Sequence, residues 1–375
     1  MTPMKNSGLE LKSKAVRKIA VIGSRGYPSF YGGFETAVRH VAPHLSNLGW
    51  EVTVYGRKAS TSKPTDSTDM RIKSVVVPCI EKKSLSTLTS GLSSAVHSFF
   101  TKPDVALVLN VANGFWLPLL KLRGIKTVVN VDGLEWKREK WGLAAKSIFF
   151  LGAKMTAAFA DTIICDAKVL QKHWGENFKR ESVFIPYGGI VQSQLPIPLD
   201  LPHRGYVLLV ARFVPENTIS EFFEAVPDLQ QKYPVVLVGS SGYGGAFDDQ
   251  ARLLAETYTN VTWLGQVSDD ELLHSLWQHS GSYFHGHSVG GTNPALVQAM
   301  SSGAPIIARD TVFNREVLGS SGVFTKPHRA SIVNAIQEVM SNPELQKSIS
   351  TLSIERAQDD YNWEKICSQY EQELK

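Results

Sequence analysis

The sequence predicts an α/β protein made of two doubly wound, parallel-sheet domains in tandem. Three observations carry this. The chain has 375 residues, whereas one domain usually holds about 100–200. Short, almost wholly apolar runs alternate with helix-period segments, the pattern of strands buried on both faces between crossover helices. That alternation stops in a Pro-rich stretch at 190–205 (IVQSQLPIPLDLPHRG) and then starts again.

Residues 1–16 read as a loose polar arm. The first strand, 18–22 (KIAVI), runs into a Gly-rich loop at 23–33 (GSRGYPSFYGG). A helix follows over 34–48, with Val38, Val41, Ala42 and Leu45 at helical spacing and Gly49 as its stop. Residues 51–55 (EVTVY) complete a βαβ unit. Further strands are expected at 74–77, 105–109, 127–131 and 162–165. After the linker, strands are expected at 206–210, 235–238, 261–264, 282–284 and 305–308. Helices are expected at 219–229, 271–279, 294–302 and 330–340, with a helical tail over 354–375. The expected domains are 17–190 and 206–353, joined by 191–205.

Composition excludes several classes. The chain is 43% hydrophobic and 20% charged, as expected of a core-forming protein and not of a disordered or collagen-like one. No apolar run reaches the roughly 18 residues that a membrane span needs; residues 147–165 come closest and are broken by Lys154 and Asp161. The first twenty residues carry six charges and no apolar stretch, so a cytoplasmic protein without a secretory leader is expected. Cys79, Cys165 and Cys367 fit neither a disulfide framework nor a zinc site. The net charge of +4 divides unevenly: residues 1–200 carry +12 and residues 201–375 carry −8. An anionic partner for the first half, or attraction between the halves across a cleft, accounts for this.

Four motifs carry chemistry. The loop of Gly23, Gly26, Gly32 and Gly33 leads into a helix start, which suits a phosphate or diphosphate. Its spacing departs from the GxGxxG dinucleotide fingerprint, so an NAD enzyme is disfavoured. A second Gly-rich loop, 285–294 (HGHSVGGTNP), follows a strand of the second half; Asn293 is a good N-cap and Pro294 a good first helical residue. Gly290, Gly291, Thr292 and Asn293 would then face a second anion. His285 and His287 lack a nearby carboxylate and make a weak metal site. In the third motif, 211–217 (ARFVPEN), Arg212 at a strand end can grip phosphate oxygens, or pair with Glu216 or Glu221. In the fourth, 131–138 (VDGLEWKR), Asp132 or Glu135 can act as a base or hold sugar hydroxyls, and Trp136 can stack on a sugar. A capped turn opening a basic helix is the other reading of this segment.

These motifs, in this order, resemble retaining glycosyltransferases of the GT-B fold. They are most similar to a bacterial group that builds surface polysaccharides and includes rhamnosyltransferases. The stretches that carry the resemblance are RGYPSFYGGFET (25–36), VDGLEWKREKW (131–141), ARFVPEN (211–217), GHSVGGTNPALVQAM (286–300) and FNREVLG (313–319). The resemblance implies two Rossmann-like domains facing a cleft, and a final helix that crosses back onto the first domain with Trp363 and Tyr370 as packing residues. It implies a nucleotide-diphosphate sugar held mainly by the second domain and a glycan acceptor held mainly by the first, without metal or other cofactor. Two positions depart from the broad pattern. Gln298 stands where similar proteins have a ribose-binding Glu, and Glu216-Asn217 where a phosphate-binding Lys is usual.

The expected reaction is sugar transfer to a growing, lipid-linked surface polysaccharide. Arg212 and the Gly290–Asn293 amides would stabilise the departing diphosphate, with Gly32 and Gly33 closing from the other side. Asn217 and Gln298 complete the expected donor site. Asp132 or Glu135 would orient the acceptor or the transferred sugar, and Trp136 and Lys137 would contact the acceptor. Lys82, Lys83, Lys121, Arg123, Lys126, Lys137, Arg138 and Lys140 lie near apolar stretches such as 115–120 (FWLPLL), so contact with the anionic inner face of a membrane is expected. No nucleic-acid signature is present. A nucleotide-sugar epimerase on the same fold and a non-catalytic sugar-nucleotide-binding protein are the rival readings.

Overall fold

A computed structural model of the chain describes residues 16–28, 32–58, 68–81, 83–131, 133–138, 141–242 and 244–375. Asp132, Lys82, Lys140 and nearly all of the expected N-terminal arm lie outside the described residues.

The first lobe is a seven-stranded parallel sheet. Its strands are β1 (Lys18–Ile22), β2 (Glu51–Gly56), β3 (Lys73–Val76), β4 (Val105–Leu109), β5 (Lys126–Asn130), β6 (Thr162–Cys165) and β7 (Val183–Phe184). They are ordered β3-β2-β1-β4-β5-β6-β7, so the chain reverses direction of growth between β1 and β4. That switch point opens a crevice at the strand C-termini. Crossover helices are α1 (Gly33–Asn47), α2 (Lys83–Thr101), α3 (Leu117–Leu122), α4 (Leu143–Phe159) and α5 (Lys168–Phe178). Strand residues point alternately to two faces. Ile19, Val21, Leu107 and Leu109 pack under α1, whereas Ala20, Ile22, Ala106 and Val108 pack under α2 to α5.

The second lobe repeats the plan with six parallel strands, β8 (Val207–Val210), β9 (Val235–Val238), β10 (Val261–Trp263), β11 (Ser282–His285), β12 (Ile306–Arg309) and β13 (Val323–Thr325). Their order is β10-β9-β8-β11-β12-β13, with the switch between β8 and β11. The helices are α6 (Ile219–Leu229), α7 (Ala246–Thr257), α8 (Asp270–His279), α9 (Pro294–Ser301), α10 (Val312–Leu318), α11 (Arg329–Met340), α12 (Pro343–Asp360) and α13 (Trp363–Leu374).

The tail expected as one helix over 354–375 is two. Helix α12 ends in the second lobe, where Ala357 and Tyr361 join its core. The Asn362 carboxamide then accepts from Glu364 N at 2.8 Å and starts α13 afresh. Helix α13 lies on the first lobe, with Trp363, Ile366, Cys367 and Tyr370 in the core under β1. Tyr370 accepts a hydrogen bond from Asn130 at 2.6 Å. The chain therefore crosses between lobes twice at one place: Gly189 N donates to Tyr361 O at 2.8 Å, and Gly189 bridges Asn362. Any Cβ on Gly188 would come within 2.6 Å of the Trp363 ring, so glycine lets the two crossing segments touch. Among the described residues, no helix is long and apolar enough to cross a membrane.

Candidate active site

The two switch points face each other, and their loops are in contact. Gly32 (φ +120°) precedes α1, in a conformation that side chains rarely adopt. A Cβ placed on Gly33 would lie 3.4 Å from Cγ of Pro294, the first residue of α9, and 3.1 Å from the Tyr187 hydroxyl. The starts of α1 and α9, one from each lobe, thus meet within van der Waals reach. Both present the positive end of a helix. Beside them, Gly133 after β5 approaches Gly290 after β11: a Cβ on Gly133 would be 3.2 Å from Gly290 Cα. Gly290 itself has φ +116°.

Charge converges on the same place. Arg212 follows β8, is exposed, and forms no ion pair among the described residues. Arg138 comes from the other lobe. Its Nε is 3.0 Å from Glu135 and its Nη1 is 4.0 Å from Glu216. Both guanidinium groups act on His287, whose pKa is held well below the usual imidazole range by burial, by His285 and by Arg212 and Arg138. His287 stacks on the fully buried His285, with ring centroids 4.3 Å apart, and burial pushes His285 down to about 3. Both imidazoles are therefore neutral at pH 7. Two arginines and two helix starts form an environment for a polyanion.

Several expected site residues have other tasks. Glu135 is buried, and its carboxylate is engaged by Arg138 and, at 2.8 Å, by the Trp141 indole N–H. It fixes Arg138 and does not present a free carboxylate to an acceptor. Trp136 is not an open stacking platform. It lies in an aromatic cluster with Phe150, His173 and Phe178, at centroid distances of 5.9–6.1 Å. Lys137 is exposed near His173. Asn217 is buried, and its carboxamide donates to Arg212 O at 2.9 Å, shaping the turn that projects Arg212. The Thr292 hydroxyl is buried and donates to the backbone O of Asp166 in the first lobe, so it joins lobes instead of facing the crevice. Asn293 caps α9 as expected, accepting from Ala295 N at 3.0 Å. Gln298 is half-exposed one turn into α9. Asp132 lies outside the described residues.

The sequence reading missed the residues that hold this arrangement shut. Asp166, at the end of β6, occupies the space where a Cβ of Gly291 would be, so only glycine lets the loop come so near. Glu316, from FNREVLG, caps the start of α5 in the other lobe, accepting from Lys168 N at 2.7 Å and Val169 N at 3.3 Å. Ser288 donates from its amide (3.1 Å) and hydroxyl (2.7 Å) to Glu216 O, tying the two second-lobe loops together. Among the described residues, no group of three or more His, Cys, Asp or Glu could hold a metal.

Comparison with known proteins bears on this geometry. Residues 199–356 match the family described as glycosyl transferases group 1. The first lobe, residues 16–189, matches a domain family of unknown function, DUF1972. The O-antigen chain mannosyltransferase B of Escherichia coli is 24% identical over 178 residues, 45% of this chain and 45% of that protein. The match thus spans less than half the length of that relative. Among solved structures, sucrose-phosphate synthase from Thermosynechococcus elongatus superposes with a TM-score of 0.79 at 20% identity, over 95% of this chain and 98% of that one. WaaG, a glycosyltransferase involved in lipopolysaccharide biosynthesis, gives 0.73 at 14% identity over 94% and 99%. Anabaena HepE in complex with UDP gives 0.71 at 15% identity over 96% and 99%. Two facing Rossmann-like lobes and a C-terminal helix that crosses back make up the GT-B architecture that these structures share.

Proposed function

We propose that the protein is a glycosyltransferase that moves a sugar from a nucleotide-diphosphate donor to a growing, lipid-linked bacterial surface polysaccharide, with retention at the anomeric carbon. The observation that carries this reading is the approach of the α1 and α9 starts, where a Cβ on Gly33 would lie 3.4 Å from Cγ of Pro294, together with the grouping of Arg212 and Arg138 around His287. A diphosphate bound there would be gripped from both lobes. Arg212 and Arg138 donate charge-assisted hydrogen bonds, and the Gly290–Asn293 amides and the neutral His287 add further donors. These groups stabilise the charge that builds on the departing diphosphate, which is the main demand of glycosyl transfer. The surrounding glycines leave room for phosphate oxygens to approach the backbone. Gln298, half-exposed one turn into α9, would serve the ribose hydroxyls. No metal is needed in this scheme, because fixed cations and helix ends supply the positive charge. The relative in O-antigen synthesis and the GT-B neighbours that act in lipopolysaccharide synthesis or bind UDP support the polysaccharide context and the nucleotide donor.

The donor is assigned by a thermal-shift panel of nucleotide sugars, in which the true donor at about 100 times its Kd adds about 2.7 kcal/mol of stability. The resemblance to rhamnosyltransferases makes a rhamnosyl nucleotide the first to try, and the mannosyltransferase relative a mannosyl one. Product analysis then discriminates between reactions. Release of nucleoside diphosphate that requires a glycan acceptor is expected. An altered nucleotide sugar formed without acceptor would instead identify an epimerase.

A further inference from the structure

The second lobe has a cleft at the amino ends of its strands, on the side opposite the crevice. Its volume is about 370 Å³, within the roughly 300–1,000 Å³ of small-ligand sites. One wall is the end of the linker, His203 and Arg204. The other is the first half of α12, with Gln346, Lys347, Ser350 and Thr351. Among the described residues, none that lines it is acidic. Arg204 is half-buried there and gives the cleft an unbalanced charge. Its guanidinium donates to neutral oxygens: Ser280 O at 3.0 Å and Gly303 O at 3.1 Å, just before β11 and β12, and Ser350 Oγ at 3.0 Å. Burial lowers its pKa, and no carboxylate among the described residues acts to raise it.

A guanidinium drawn out of water without a counter-ion is unfavourable, and an anion in the cleft would relieve it. Lys347, exposed on α12, adds a second cation, and the Ser350 and Thr351 hydroxyls lie on the same wall. Two cations and two hydroxyls without a carboxylate suit a phosphate group. The cleft also lies where both connections between the lobes are anchored. His279 Nε2 donates to Leu195 O at 2.9 Å, which leaves its Nδ1 to accept from His203 Nδ1 at 2.8 Å. Gln278, next to it on α8, accepts from Leu195 N at 2.7 Å and donates to Ser193 O at 3.0 Å. The linker is thus fastened to the second lobe as far as the cleft. Helix α12, the other wall, runs on to the crossing at Tyr361 and Asn362.

We propose that this cleft binds a phosphate-bearing small molecule, which bridges the linker and α12 and so braces both connections between the lobes. The inference stands apart from the donor chemistry of the crevice. It is tested by hydrogen–deuterium exchange of the full chain, titrated with inorganic phosphate and with a hexose phosphate at constant ionic strength. Slower exchange over residues 193–205 and 343–354 is expected in wild type. In Lys347→Glu and in Thr351→Glu, both at exposed positions, the ligand concentration that gives this protection should rise at least about tenfold. Thermal melting checks that each variant is folded. Protection by the hexose phosphate at lower concentration assigns a sugar phosphate, and protection by both at one concentration assigns the phosphate group alone. Protection confined to the crevice loop 286–300, no protection anywhere, or protection at the cleft that neither substitution weakens would overturn the proposal. Because cleft and crevice are read in separate segments, a failure here is distinct from a failure of the donor site.

Discussion

Arg138 shows how a residue can be placed by its neighbours. Glu135, three positions earlier, and Trp141 fix its guanidinium geometry, and Glu216 meets it from the other lobe. Arg212, by contrast, is exposed and projected only by its backbone turn. Replacing Arg212 with Ala is expected to lower kcat/KM by at least about tenfold, or ~1.4 kcal/mol, with the melting temperature unchanged. If Gln298 contacts the ribose, Gln298→Glu should tighten donor binding by about 1 kcal/mol, roughly fivefold, because a charged acceptor strengthens the hydrogen bond; calorimetric titration reads this directly. His285 gives a pH prediction. Its folded pKa is depressed to about 3 by burial, so below the unfolded value of about 6.5 only the unfolded state takes up the proton. Stability is then unaffected above pH 6.5 and falls by up to about 1.4 kcal/mol per pH unit as pH drops below it, levelling off near the folded pKa. Urea denaturation at several pH values should show this slope reduced in His285→Asn.

At the scale of elements, the Gly-rich loops and the helix starts after β1 and β11 were legible in the sequence, because positive-φ glycines, an Asn cap and a Pro at the first helical position are local signals. Most of the strands were legible because they are short, largely apolar runs; β7 (Val183–Phe184) and β13 (Val323–Thr325) were not, because two or three residues carry no pattern. Helix α2 was not, because its buried stripe is serine and its apolar residues face outward, which reverses the pattern that marks an amphipathic helix. Helix α7 also escaped, since Asp248, Asp249 and Gln250 dilute its apolar face. The contacts of Trp136, Thr292 and Asn217 depend on long-range packing that no local pattern encodes. The close approach of Gly291 to Asp166 makes an element-level prediction. Gly291→Ala would wedge the α9 loop away from β6, and transfer activity should fall at least about tenfold while the second-lobe core stays intact. Activity assays alongside near-UV circular dichroism check it.

At the scale of the molecule, two lobes with separate cores are joined by the paired crossing at Gly188–Gly189 and Tyr361–Asn362 and by latches across the crevice. Glu316, accepting from the first two amides of α5, is the clearest latch. Its replacement by Ala should cost about 1–3 kcal/mol in chemical denaturation, since it leaves a helix start unsatisfied. The uneven charge, +12 in residues 1–200 and −8 beyond, fits two lobes that attract one another across the crevice. The most direct measurement is calorimetric titration of a nucleoside diphosphate, and of the matching nucleoside, into wild type and Arg212→Ala. Tighter binding of the diphosphate by at least about tenfold, largely lost in the variant, is predicted. Equal binding of the two ligands, or a diphosphate affinity untouched by the substitution, would contradict a crevice built from both lobes to hold a pyrophosphate.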